Sequence, residues 1–187
     1  MKHLKNIFLA LFIASLFSSC SSDDGESTPV GGDHSYDIDI TSGFLSGSNI
    51  SGVVPNSDFI GLYIEDTSQN LISFPMSLSG PSNFTFGGAI NIVNGQASTL
   101  NDNYDSLGGS TLLIVFDKEG ETYAFESISG TCSINNLSKS PGAFGTGIAS
   151  YTVNFSGTFR QTNSDEINVE DYPLVQMSGE VMIKQTQ

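Results

Sequence analysis

Alternation of apolar and polar residues is the dominant pattern in this chain from residue 36 onward. In the clearest segment, Tyr151, Val153 and Phe155 occupy one set of alternate positions, and Thr152 and Asn154 occupy the other. This two-residue period is typical of a strand with one buried face. The predicted strands cover residues 36–40, 58–65, 71–78, 84–86, 89–93, 111–116, 122–134, 148–160 and 174–184. We therefore expect about nine or ten strands.

Turn residues and one change of phase mark the limits of these strands. Asn94-Gly95 is the strongest hairpin signal, and Asp117–Gly120 is a second turn. The continuously apolar segment Thr111–Phe116 indicates a central strand. Within residues 122–134 the apolar residues change from odd to even positions, which predicts a β-bulge near Ser127.

The composition favours strands over helices. Ser, Thr, Asn and Gly supply 76 of the 187 residues, and these residues are poor helix formers. Sequential hairpins indicate an antiparallel meander. The predicted fold is all-β, a β-sandwich or flattened barrel with no helix, formed by one domain over residues 36–187.

The first twenty residues read as an export signal. Lys2 and Lys5 precede the apolar run Ile7–Phe17, which is too short to span a bilayer as a permanent helix. The sequence from Leu16 to Cys20, LFSSC, resembles a bacterial lipobox. That resemblance implies a lipoprotein signal peptide over residues 1–19, cleavage by signal peptidase II and a diacylglycerol on the Cys20 sulfur. An ordinary secretory signal with a chance cysteine is the alternative interpretation.

Residues 20–35 are polar, acidic and rich in glycine, which predicts a disordered tether that includes His34. Asp23, Asp24 and Glu26 resemble the acidic surface-export signal of lipoproteins in the Bacteroidota. This resemblance implies an outer-membrane protein on the cell surface. The alternative is a solvated charge run, which leaves the periplasmic leaflet open.

The body is similar to a family of small β-rich lipoproteins of the Bacteroidota to which no activity is assigned. The segments that carry this resemblance are Ile72–Pro75, Phe84–Gly88, Tyr123–Ile134 and Phe155–Phe159. Since the family has no assigned activity, the resemblance implies no functional residue.

The chain is poor in the residues that most active sites require. Its histidines are His3, in the signal peptide, and His34, in the predicted tether. We therefore expect no Ser-His-Asp, Cys-His or zinc site, and no cofactor or metal. Cys132 is interpreted as a small core residue. Pro141–Gly147 precedes a strand rather than a helix, so we predict a flexible loop and not a phosphate cradle.

Carboxylates are the one abundant chemical group. Candidates are Asp117, Glu119, Glu121 and Glu126 around one turn, and Asp165, Glu166, Glu170 and Asp171 around another. Two acids at the right separation suffice for glycoside hydrolysis, but we expect a solvated surface. Asn101–Asp105 has the alternating oxygens of a calcium loop, but Ser106 and Leu112 replace the required Gly and Glu.

Ser106 has a second interpretation. The sequence Asp105-Ser106-Leu107 resembles the O-glycosylation site of Bacteroidota envelope proteins. That resemblance implies a glycan on Ser106 and requires an exposed loop.

The net charge of the chain disfavours polyanionic partners. Without residues 1–19 the chain keeps four basic residues against twenty acidic ones, a formal charge of −16. Such a charge repels nucleic acid and anionic lipid surfaces. Contact with the membrane is therefore expected through the lipid anchor alone.

These observations predict a non-catalytic envelope lipoprotein whose β-domain binds or scaffolds an envelope protein or a glycan. With no Trp, aromatic contacts to a sugar would come from residues such as Tyr63, Tyr104 or Tyr172. One alternative is a carboxylate-dependent glycan-active enzyme, and another is a barrel that encloses a small apolar ligand. A structural envelope component would show a bare apolar face or an unprotected sheet edge.

Overall fold

A computed structural model of the protein describes residues 32–55, 60–102, 109–163 and 171–184. The prediction of an all-β fold is confirmed, and these residues include no α-helix, hence none able to cross a membrane. The strands are β1 (His34–Ile40), β2 (Ser48–Val54), β3 (Leu62–Asp66), β4 (Leu71–Ser79), β5 (Thr85–Val93), β6 (Gln96–Ala97), β7 (Leu100–Asn101), β8 (Thr111–Lys118), β9 (Glu121–Pro141), β10 (Thr146–Gln161) and β11 (Leu174–Ile183).

The strands form one antiparallel sheet that closes on itself. Strand β10 pairs with β3, and the pairing continues through β4, β5, β8 and β9 back to β10. Strands β11, β1 and β2 extend from the edge of β10 beyond its pairing with β3. Most neighbours in the sheet are also neighbours in the chain, as a meander requires. The result is a flattened barrel or sandwich.

Alternate residues of the strands fill the space between the two layers. Phe74 of β4 meets Tyr151 of β10 with ring centroids 5.0 Å apart, and Phe86 of β5 meets Phe155 of β10 at 5.8 Å. The fully buried Ile38 and Val181 lie beside them in the same core. Side chains therefore occupy the interior where an enclosed ligand would lie.

Strand β9 passes from one layer to the other, and the predicted bulge lies at this corner. Phe159 pairs with Ser127 and Thr158 pairs with Ser129, so Ile128 is the extra residue. Before the bulge the buried residues are odd-numbered, as at Phe125. After it Cys132 and Ile134 contact the core from even positions. The change of phase in the sequence therefore has the predicted cause.

The β9–β10 hairpin is longer and tighter than the sequence suggests. Only the ends of the predicted loop over Pro141–Gly147 are strand, because β9 continues to Pro141 and β10 begins at Thr146. The turn closes with a hydrogen bond from the Gly142 N–H to the Thr146 carbonyl oxygen at 2.7 Å. The predicted bounds of this loop are therefore wrong: the loop is limited to residues 142–145, where Gly145 supplies a positive φ of 75° that a tight turn can use.

The prediction that His34 lies in a tether, outside a domain starting at residue 36, is also wrong. His34 is the first residue of β1, pairs with Val54 and is fully buried. Its Nδ1 accepts a hydrogen bond from the backbone N–H of Lys184, 3.0 Å away. A buried imidazole is stable here because its polar atom is paired. The folded body therefore does contain a histidine.

The hydroxyl of Tyr151 is an exception to this pairing. It is buried and has no hydrogen-bond partner among the described residues, and burial raises the pKa of the phenol. An unpaired buried hydroxyl costs stability, so Tyr151→Phe is expected to stabilise the domain by about 1 kcal/mol in urea unfolding. A destabilisation of similar size would contradict this expectation.

The same hydroxyl makes stability depend on pH. In the unfolded chain a tyrosine ionises near pH 10, whereas the folded Tyr151 keeps its proton to higher pH. The unfolded state thus binds fewer protons, and stability is complete below pH 10 and falls above it. Urea unfolding measures the effect. Between pH 9 and pH 11 the free energy of unfolding should fall less for Tyr151→Phe than for the wild type.

Candidate functional site

A cleft of about 540 Å³ lies between the β3–β4 turn and the β5–β6 turn. Its lining residues are Glu65, Asp66, Thr67, Asn70, Leu71, Ile72, Ile92, Asn94 and Gly95. The two turns are joined, because the Asn94 N–H donates a hydrogen bond to the Asn70 carbonyl oxygen at 3.0 Å. The cleft therefore has fixed walls and a volume typical of small-molecule sites.

The floor of the cleft is apolar and its rim is polar. Ile72 and Ile92 are paired across β4 and β5, and both pack against the core. Asn70 and Asn94 hold positive φ angles of 48° and 51°, a backbone conformation that asparagine tolerates well. The result is an aliphatic surface surrounded by amide and carboxylate groups.

One carboxylate of the rim is held by its own turn. Asp66 accepts hydrogen bonds from the Ser68 hydroxyl, the Ser68 N–H and the Gln69 amide. The bond from the Ser68 side chain is the main reason that the pKa of Asp66 is lowered. Asp66 therefore supplies a fixed negative charge and is unsuited to act as a general acid.

The other rim carboxylate, Glu65, is paired with Lys139 of β9. The Lys139 ammonium also lies 4.9 Å from the centroid of the Tyr63 ring, where a cation is attracted to the face of an aromatic. Tyr63 is only 3% exposed, so the suggestion that it offers a sugar-stacking surface is wrong. The ring instead packs against Gly147, where a side chain would clash with it.

The first group of predicted acids lies around the β8–β9 turn, where two of them accept hydrogen bonds. Asp117 accepts hydrogen bonds from Asn83 and Thr122, both at 2.6 Å, and Glu121 accepts one from the Tyr123 hydroxyl at 2.8 Å. Glu119 lies in the β8–β9 turn with a φ of 54°. Glu121 and Glu119 both lie near Tyr123, whose pKa is raised mainly by its hydrogen bond to Glu121.

Glu126 instead belongs to an ion-pair cluster. It pairs with Arg160 of β10, whose Nε lies 3.1 Å from the carboxylate, and Asp102 approaches the same guanidinium at 3.7 Å. The cluster links β9 and β10 with the residue after β7. Of the segment Asn101–Asp105 only the first two residues are described, and the ionic partner of Asp102 is a cation.

Metal ligands do not cluster in the described part of the chain. No group of three or more His, Cys, Asp or Glu side chains is placed there to hold an ion. Cys132 is partly buried against the core, donates a hydrogen bond to the Ser98 carbonyl oxygen at 3.2 Å, and has a pKa raised by burial. It is therefore a poor nucleophile, in line with its interpretation as a small core residue.

Several predicted residues lie outside the described ranges. These are Cys20 and the acids after it, Tyr104, Asp105, Ser106, Asp165, Glu166 and Glu170. Asp171 and Tyr172 are described, the first exposed and the second half-buried before β11. The lipid attachment and the glycosylation of Ser106 therefore stay predictions.

Sequence reasoning did not identify the cleft. The sequence predicts the Asn94-Gly95 hairpin, but only the sheet register places this turn beside the β3–β4 turn. The nearest signal in the sequence is Asn70, since a lone asparagine ending a polar turn is a candidate for a positive φ. Searches of protein-family models, curated proteins and solved structures found no match to this chain.

Proposed function

We propose that this protein is a lipid-anchored lipoprotein of the outer membrane, facing the cell surface, whose β-domain binds an envelope glycan without catalysis. The cleft between the β3–β4 and β5–β6 turns is the proposed site. Its geometry is the observation that carries the proposal, because an aliphatic surface with amide and carboxylate groups around it is how a protein holds a small amphipathic ligand.

A saccharide fits this chemistry better than a wholly apolar ligand. Ile72 and Ile92 would contact the C–H face of a sugar, and Asn70, Asn94 and Asp66 would hydrogen-bond its hydroxyls. The rim carries two carboxylates, so neutral sugars and amino sugars are favoured over acidic ones. Glycoside hydrolysis is not favoured, because Asp66 is held ionised and Glu65 is ion-paired.

The test measures backbone amide shifts by NMR while neutral, amino and acidic oligosaccharides are added. Thr67→Trp places a large ring in the cleft at an exposed lining position and is expected to weaken binding by about tenfold or more. Thr131→Trp adds the same ring at an exposed position on β9 outside the cleft and should leave binding unchanged. The proposal would be refuted if no sugar shifted the amide signals of the cleft residues. It would also be refuted if the sugars bound both variants with equal affinity.

A further inference from the structure

Strand β2 is an edge strand with one side unpaired in the described structure. All seven residues of β2 pair with β1, and the strand stands at one end of the sheet order. No described strand pairs with its other side. Alternate backbone N–H and C=O groups of an antiparallel edge strand face outward and can hydrogen-bond to a further strand.

A second long unpaired edge, in β9, is blocked, whereas β2 has no blocking residue of its own; at its start, the Ser48 hydroxyl accepts a hydrogen bond from the Lys118 ammonium. Residues 131–141 of β9 pair with β10 on one side only, but they carry Lys139, end at Pro141 and contain an irregularity at Asn136, whose φ is 51°. Charge, proline and bulges are the usual means by which an edge strand avoids pairing. The sequence of β2, SNISGVV, has no charged residue and no proline.

The surface beside this edge is acidic. Asp37 and Asp39 of β1 are exposed on the outer face. In the strand register, Glu180 of β11 lies opposite Asp37. The Asn49 amide donates hydrogen bonds to Asp37 at 2.7 Å and to Asp39 at 2.9 Å. Neither aspartate has an ion-pair partner among the described residues. A strand added to β2 would lie about 10 Å from β1, within the combined reach of a long cationic side chain and an aspartate.

We propose that the free edge of β2 binds an extended, basic segment of a partner protein as an additional strand. Main-chain hydrogen bonds to β2 hold the segment, and alternate Lys or Arg side chains lie over Asp37 and Asp39. A second copy of this chain is disfavoured as the occupant, because the chain carries a net charge of −14. The edge is separate from the glycan cleft, so it can bind its partner whether or not the cleft binds sugar.

The probe is an acetylated and amidated octapeptide of alternating Lys and Val, titrated into the folded protein at physiological salt. Binding is expected to slow hydrogen exchange at backbone amides of β2. The double variant Asp37→Asn/Asp39→Asn keeps the shape of both side chains and should weaken binding about tenfold. The matched control Glu119→Gln/Glu121→Gln removes two charges from the β8–β9 turn, which is linked to β2 by the hydrogen bond from Lys118 to Ser48, and should weaken binding less than the β1 variant does.

Two further arms test the strand geometry. An octapeptide of the same sequence, N-methylated at every residue, keeps its charge but loses its N–H donors and should not bind. Val53→Lys places a cation on the exposed edge and should weaken binding of the unmodified peptide by about tenfold. Equal binding of the methylated peptide, or equal loss in the control variant, would show nonspecific attraction and overturn the proposal. A dimer in sedimentation that Val53→Lys abolishes would also overturn it, in favour of a second copy.

Discussion

Replacing Gly130 with alanine is expected to destabilise the β-domain by about 3 kcal/mol or more. Gly130 lies at the corner of β9, just after the bulge, with a φ of 146°. A Cβ atom there would overlap the Ser156 carbonyl oxygen and lie 2.6 Å from the Gly157 Cα. Both are backbone atoms of β10, so no side-chain rotation can relieve the overlap. Urea unfolding monitored by circular dichroism measures the loss.

The matched control is Gly120→Ala. Gly120 also has a positive φ, 87°, but a Cβ there meets nothing within 4 Å. This control is expected to cost about 1 kcal/mol, the conformational penalty alone. Equal losses in the two variants would show that β9 and β10 do not approach each other as closely as the structure describes.

Replacing Cys20 with alanine is expected to abolish lipid attachment and release the protein from membranes. Each buried CH₂ of an acyl chain contributes about 0.8 kcal/mol, so two or three chains anchor a protein stably. Residues 20–187 carry a formal charge of −16, so they offer no electrostatic attraction to an anionic lipid surface. In cells labelled with palmitate, the wild type should carry the label in the membrane fraction, and the variant should be unlabelled and soluble.

The control for this experiment is Cys132→Ala, which removes the other cysteine of the chain. Since Cys132 is partly buried in the folded domain, its loss should leave labelling unchanged. Label that persists in the Cys20 variant would show that the lipobox resemblance is misleading.

The elements that the sequence predicted best are those where burial alternates along a strand. Residues Ala149, Tyr151 and Val153 are buried as their period indicates, although Thr152 between them is buried as well, and the bulge in β9 corresponds to a change of that period. Strand β2 was missed because its small polar residues give no such signal. His34 was missed for a related reason. It continues the alternation of Tyr36 and Ile38, but its polar ring hides the pattern.

The candidate sites depend on information that one sequence lacks. The cleft forms where two turns meet through the β4–β5 register, and the free edge of β2 follows from the order of strands in the sheet. Neither property is local in the chain. The ion pair of Lys139 with Glu65 joins residues 74 positions apart, so their shared role beside the cleft was not predictable from spacing.

The position of β1 has a mechanical consequence if Cys20 carries a lipid. Strand β1 follows the proposed tether, and it is paired on both sides, with β2 on one and β11 on the other. A pulling force transmitted from the membrane would therefore have to rupture two ladders of backbone hydrogen bonds together. Such an attachment resists detachment of the domain under shear flow better than one made through a terminal ribbon at the margin of the sheet.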